Sequence, residues 1–191
     1  MSSRFRCIAC GVMLLGVCSW AFAGVRPSWF SGHESDPAYQ FRLATAWEKG
    51  VGVKRDPSQA FFWCRLAASG GLVEAQYHLS VMYSSGIGTP RNVKEAAKWC
   101  LKAAEGGDPS ARFDYGVMCM NGQGVSRDYQ AGVKWFLSAA ALGNVDAMNC
   151  LSLCYRLGMG VDRSPQTADV WLRRAQKQQT ASSSAALACS E

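Results

Sequence analysis

Gly86-Ile87-Gly88, Trp99, Ala103-Ala104 and Gly107 make a pattern that the chain repeats. The same pattern stands 36 residues earlier as Gly50, Gly52, Trp63, Ala67-Ala68 and Gly71, and 36 later as Gly122, Gly124, Trp135, Ala139-Ala140 and Gly143. A fourth copy gives Gly158, Gly160, Trp171 and Ala175, then fades. A fixed period of this length marks a stacked repeat array, in which each unit buries its faces against its neighbours.

Each repeat reads as two helices. A first helix is predicted after Asp36, Leu72, Asp108 and Asn144, and a second after Asp56, Asn92, Asp128 and Ser164. All but Leu72 carry side chains that accept from the free N–H groups of a first turn. Pro37, Pro57, Pro109 and Pro165 follow such caps, where a missing N–H costs nothing. The paired glycines fall between the helices, where the backbone leaves a helix through positive φ. Within the first helices, apolar residues recur every three or four positions, as in Ala75, Leu79, Met82 and Tyr83 or Ala111, Tyr115, Met118 and Cys119. A small residue recurs among them, Ala44, Ser80, Gly116 and Ser152, where two helix backbones can approach closely. On the second helices Ala60, Trp63, Ala67 and their copies form one stripe, with each Trp placed as a wedge between repeats. The fold class is therefore all-α, a solenoid of four 36-residue helix-turn-helix repeats over about 37–72, 73–108, 109–144 and 145–177.

The flanks differ. Residues 1–23 read as a secretory signal peptide, with basic Arg4 and Arg6, an apolar run from Cys7 to Trp20, and Ala21-Phe22-Ala23 as the cleavage site. The run is short for a bilayer span. The mature chain is expected to start at Gly24, to carry no membrane span, and to be periplasmic or secreted. Residues 24–35 form an irregular leader whose Trp29 and Phe30 can cover the start of the array. From Gln178 the chain turns to Thr, Ser and Ala, and 178–191 is expected to be a disordered tail. The formal charge of +6 over 191 residues falls to +4 once Arg4 and Arg6 leave. This mildly basic balance permits acidic partners or envelope polymers and gives no indication of nucleic acid.

The segments Ala75-Gln76-Tyr77-His78-Leu79, Met82-Tyr83, Gly86-Ile87-Gly88, Ala96-Ala97-Lys98-Trp99 and Lys102-Ala103-Ala104-Glu105-Gly106-Gly107 resemble the Sel1-like repeat family, relatives of the tetratricopeptide repeats. The resemblance spans roughly 37–178. It implies a right-handed α/α superhelix that serves as an adaptor or scaffold for other proteins. Bacterial members are often exported, some for envelope maintenance or host interaction. The family carries no shared chemistry.

If the first helices line the concave surface, Phe41, Tyr77, Phe113 and Asn149 form one row. Val81, Val117 and Leu153 follow Thr45 in a second, and Met120 and Arg156 follow Glu48 and Ser84 in a third. An apolar row edged by variable polar groups suits a partner peptide or domain, with the aromatics as anchors. The alternative is that the aromatics simply pack between neighbouring helices. A second candidate is the basic edge Arg55, Arg91, Arg127 and Arg163, one per repeat. It suits an envelope glycan or acidic polymer, or else offsets the carbonyl end of the preceding helix.

Six of nine cysteines remain after signal removal: Cys64, Cys100, Cys119, Cys150, Cys154 and Cys189. An even count in an exported chain points to disulfides. Cys64 and Cys100 hold one position in adjacent repeats, too far apart for a bridge, and their counterparts Phe136 and Leu172 mark buried filler. Cys119, Cys150 and Cys154 form the candidate disulfide cluster, with free buried thiols as the alternative. The regular Cys pair of cysteine-rich Sel1-like proteins is absent.

No metal site or cofactor is expected, since only His33 and His78 could assist the thiols. Some cysteine-rich relatives are associated with β-lactam binding or hydrolysis. Here no Ser has Lys three positions later, Gly-x-Ser-x-Gly is missing, and no motif places a Cys–His pair. The reading is a non-enzymatic protein-interaction scaffold, with a polymer binder and a β-lactamase-like hydrolase as alternatives.

Overall fold

The computed structural model describes residues 35–188. The expected signal peptide, the leader up to residue 34 and Cys189 lie outside the described residues. The described chain forms α1 (Pro37–Lys49), α2 (Pro57–Ser69), α3 (Val73–Ser85), α4 (Val93–Glu105), α5 (Pro109–Asn121), α6 (Tyr129–Ala141), α7 (Val145–Leu157) and α8 (Pro165–Ala188). The first seven have 13 residues each, and α8 has 24. Each repeat is one helix pair. Helix follows helix in an all-α solenoid with no strand among the described residues.

Every expected cap is in place. Asp36, Asp56, Asn92, Asp108, Asp128, Asn144 and Ser164 accept from N–H groups of the following first turn. Leu72 makes no side-chain cap bond. The turn inside each repeat is rebuilt four times with the same bonds. Gly50, Gly86, Gly122 and Gly158 end the first helices at φ 74°, 74°, 72° and 76°. The N-cap residue of the second helix then donates back to the first, Asp56 to Trp47 O and Asn92 to Tyr83 O, with Asp128 and Ser164 alike on Cys119 O and Tyr155 O.

The second glycine of each turn docks one repeat onto the previous one. A Cβ on Gly88 would overlap the Pro57 carbonyl oxygen, and on Gly124 or Gly160 it would overlap that of Val93 or Tyr129. The turn of each later repeat thus presses on the first residue of the preceding second helix. Only glycine leaves room there and also accepts the positive φ.

Within a repeat, small residues bring the helices together. Gly116 of α5 faces Gly132 and Phe136 of α6 so closely that a Cβ would stand 2.7 Å from the Phe136 ring. Ala44, Ser80 and Ser152 are buried at the same position. Between repeats, the tryptophan of the second helix is the wedge. Trp135 packs on Cys100, Ala103 and Ala104 of α4 and Ala111 of α5, edge-on to Tyr115 at 5.4 Å. Trp171 packs likewise on the core built by α6 and α7.

One expectation is corrected. Residues 178–188, read as a disordered tail, continue α8 without a break. The stretch Gln178 to Ala188 holds no Gly or Pro, and its Gln, Ala and Leu residues are good helix formers. The costly nucleus is already formed at Pro165, so each further residue adds to an existing helix.

Candidate interaction surface

The candidate residues of the three rows sit at the fifth, ninth and twelfth positions of the first helix of each repeat. Phe41 begins the row and is only 9% exposed, edge-on to the His78 ring at 5.5 Å. It belongs to the core between the first two repeats. Tyr77 and Phe113 are half-buried, and Asn149 is exposed. Phe113 leans on Phe136 with ring centroids 5.7 Å apart. In the second row Val81 and Val117 are half-buried, and Leu153 reaches 52% exposure. In the third, Met120 lies against Gly132. The Arg156 guanidinium reaches Asp169 of α8 at 3.6 Å. Exposure along the three rows rises toward the fourth repeat.

Polar contacts tie this face from one repeat to the next. The Tyr77 hydroxyl donates to Asp114 Oδ2 at 2.8 Å. His78 Nε2 stands 3.2 Å from Glu48 Oε2. Burial raises the Asp114 carboxyl above its ordinary value, and the bond from Tyr77 pulls it part of the way back. Tyr77 is raised as well, first by burial and then by the acceptor beside it. In both contacts, residues of one first helix meet the sixth residue of the next. Sequence reasoning missed Asp114 and the pairing of Glu48 with His78, because the chemistry of the pair changes in each repeat and leaves no periodic signal.

The basic edge has a local task. Arg55, Arg91 and Arg163 each donate Nε–H to the carbonyl seven residues back, Glu48 O, Ser84 O and Arg156 O, at 3.0, 2.9 and 3.1 Å. These are carbonyls of the last turns of α1, α3 and α7, which otherwise lack helical partners. Arg127 holds the same place, with its Cβ beside Gly122. All four side chains are exposed.

The disulfide cluster is corrected. Cys64, Cys100, Cys119, Cys150 and Cys154 are all free thiols. Cys150 and Cys154 are four apart on one helix, where Cβ atoms stand ~5–6 Å apart, beyond the ~3.5–4.5 Å that a bridge requires. Cys119 is engaged by its own helix, through a side-chain hydrogen bond with Tyr115. Cys64 and Cys100 are wholly buried and donate to Ala75 O and Ala111 O, both at 3.4 Å. The filler positions thus also carry a weak bond into the next repeat.

The fold does assemble a Cys–His pair that no motif announced. Cys64 Sγ lies 3.8 Å from His78 Nδ1, and Glu48 lies on the other ring nitrogen. The order resembles nucleophile, base and orienting acid. Burial pushes the Cys64 thiol up to about 12, Glu48 adding to the effect, and its sulfur has no exposed surface. A thiol held protonated and closed off is not an attacking group. Among the described residues no group of three metal-ligating side chains occurs.

The profile of the Sel1 repeat matches residues 37–72, 73–108, 109–144 and 145–178. This chain belongs to the Sel1 repeat family. Its repeats coincide with the helix pairs described above. Among solved structures, a Sel1 repeat protein from Oxalobacter formigenes is similar, at 34% identity and a TM-score of 0.72, over 78% of this chain and 62% of that one. So is c5321, described as a protective antigen in uropathogenic Escherichia coli strains displaying an SLR fold, at 34% identity and a TM-score of 0.72. That likeness covers 75% of this chain and 31% of the antigen, so the chain spans less than two thirds of either relative. The Helicobacter pylori cysteine-rich protein B, at 20% identity and a TM-score of 0.51 over 63% of this chain and 98% of that one, shares the fold. No protein with a curated description matches. Sel1 repeat proteins generally mediate protein–protein interaction, and the family is typically a non-enzymatic scaffold.

Proposed function

We propose that this Sel1 repeat chain is an exported, non-enzymatic interaction module of the cell envelope or its surroundings. It holds a partner protein on the open face of its first helices. The observation that carries this reading is the row Tyr77, Val81, Phe113, Val117 and Leu153, which keeps apolar surface in contact with solvent while neighbouring positions are closed. Apolar side chains left open along one face of a rigid array suit partner recognition. Export is supported by Arg4, Arg6, the apolar run and Ala21-Phe22-Ala23. The basic edge fits less well as a polymer site, because three of its guanidinium groups are engaged in capping helices.

Site-specific photocrosslinking in living cells tests the proposal. Ser110 and Asp146 are exposed on the open face, and Lys98 and Lys134 are exposed on the second helices. A crosslinker at the first two positions is expected to give one defined protein adduct in the envelope or secreted fraction, with none from the second pair. Adducts from the second-helix positions alone would move the site to the opposite surface.

A further inference from the structure

Repeats three and four concentrate sulfur. Seven Cys and Met side chains fall between Met118 and Met159, against Cys64, Met82 and Cys100 over residues 37–108. In the fold they gather. Met148 and Cys154 are buried in the core that α6 and α7 build, and Met120, Cys150 and Met159 pack on that same core.

A buried Met or Cys is commonly core filler, but Cys150 occupies a contact position. It is the sixth residue of its helix, where the second and third repeats carry His78 and Asp114. Each of these meets the preceding first helix, His78 at Glu48, the twelfth residue, and Asp114 at Tyr77, the fifth. For the fourth repeat those partner positions, on α5, hold Met120 and Phe113. The register thus sets a half-buried thiol opposite a thioether, where repeat two sets an imidazole opposite a carboxylate. Met120 lies against Gly132, where α6 puts no side chain in the way, and its unbranched, flexible chain can swing to Cys150. Phe113 and Phe136, with ring centroids 5.7 Å apart, hold the positions that Phe41 and Cys64 hold around His78. They give the site an apolar wall.

Cys154 lies one turn along α7 from Cys150. Burial, and then the neighbouring Cys150 sulfur, push its thiol up to about 11, so the two sulfurs act on each other. Cβ atoms ~5–6 Å apart are too far for a disulfide. An ion between the sulfurs spans that gap, since a metal–thiolate bond is about 2.3 Å long in zinc sites. Zinc itself and iron–sulfur clusters take four ligands, and among the described residues no third His, Cys, Asp or Glu joins the pair. Copper(I), a soft ion that forms low-coordinate complexes with thiolates and thioethers, needs none.

We propose that Cys150 and Cys154, with the Met120 thioether as a further donor, bind a single copper(I) ion between repeats three and four. Binding releases both thiol protons to water and changes no oxidation state.

Anaerobic titration of the reduced mature chain with copper(I), in competition with the coloured chelator bicinchoninate, tests this. One equivalent is expected to pass from the chelator to the chain. Cys150→Ser and Cys154→Ser should each weaken binding by at least about 100-fold, since even the groups behind a metal's ligands are worth roughly 10- to 100-fold. Met120→Leu, which keeps the packing, should weaken it about tenfold. Cys119→Ser and Cys189→Ser should leave it unchanged. Circular dichroism checks that each variant folds. No transfer from the chelator, or binding that survives Cys150→Ser, would overturn the inference. A loss on Cys119→Ser or Cys189→Ser equal to that on Cys150→Ser would also overturn it, with copper then held by thiols at large. Met120→Leu binding like wild type would strike the thioether from the site. If a cysteine variant does not fold, X-ray absorption of the wild-type complex decides. A shell of sulfur alone is expected, and nitrogen or oxygen around the ion would overturn the assignment.

Discussion

Two glycines two residues apart do unlike work. Gly122 needs only its positive φ, for its nearest neighbours leave a Cβ room at 3.4 Å. Gly124 has a positive φ of 75° and also lies under the Val93 carbonyl. Gly122→Ala is therefore expected to cost about 1 kcal/mol. Gly124→Ala should cost roughly 3 kcal/mol, since the second and third repeats must also part. Urea denaturation of the two variants decides this, and equal losses would show that the turn alone matters. Asp114 supplies a residue-scale test with a sign. Its folded value lies above the ordinary 3.8 because burial penalises the charge, so folding favours its protonated form. Stability from this group is fully present below the ordinary value and is lost as pH rises through the raised one. Asp114→Asn removes that slope and keeps an acceptor for Tyr77. Relative to wild type, the variant is expected to look most favourable near neutrality and to lose that advantage toward pH ~4. Urea midpoints across the interval check it, and a constant difference would mean that Asp114 titrates as in the unfolded chain.

At the scale of the helix, the arginines show how a surface charge row can be structural. Arg91 Nε donates to Ser84 O at 2.9 Å in the last turn of α3. Arg91→Ala is expected to lower stability by about 0.5 kcal/mol, while Arg91→Lys keeps the charge near the carbonyl end but lacks the Nε–H. Denaturation midpoints ordered Arg, Lys, Ala support a directed bond, and Lys equal to Arg would reduce the task to charge. Helix starts and ends were legible in the sequence because capping is local: Asp128 needs only N–H groups of its own first turn. Gly124 was legible as a turn residue but not as a docking point, because the Val93 carbonyl belongs to the preceding repeat. Partners on the open face were hidden for a similar reason, since Tyr77 meets Asp114 37 residues later. The disulfide expectation rested on an even count, which carries no information on where Cβ vectors point. The length of α8 was missed because polar composition limits burial but does not prevent the growth of a helix already begun.

Across the molecule, the same four-fold pattern that builds the array has to stop it. Outgoing surfaces of the first three repeats are apolar on the second helix, ending with Val133 and Ala140, both buried in the core that α6 and α7 build. The fourth carries Asp169 and Gln176 instead, and Arg156 crosses to Asp169 where the third repeat has Met120. A repeat array exposes a sticky end unless its last unit is polar. Arg156 thus serves the end of the array as well as the margin of the open face. If this ion pair and amide close the array, returning them to the third repeat's residues should reopen it. Arg156→Met, Asp169→Val and Gln176→Ala together are expected to leave the helix content unchanged. They should make the chain self-associate with rising concentration, since three added apolar side chains adjoin Leu153 and Leu157. Sedimentation velocity over a concentration series, wild type beside the triple variant, reads the outcome. Association confined to the variant would assign the closure to these three residues. A variant that sediments like wild type would mean that the continuation of α8 beyond Gln178, rather than the polar face, keeps the end apart.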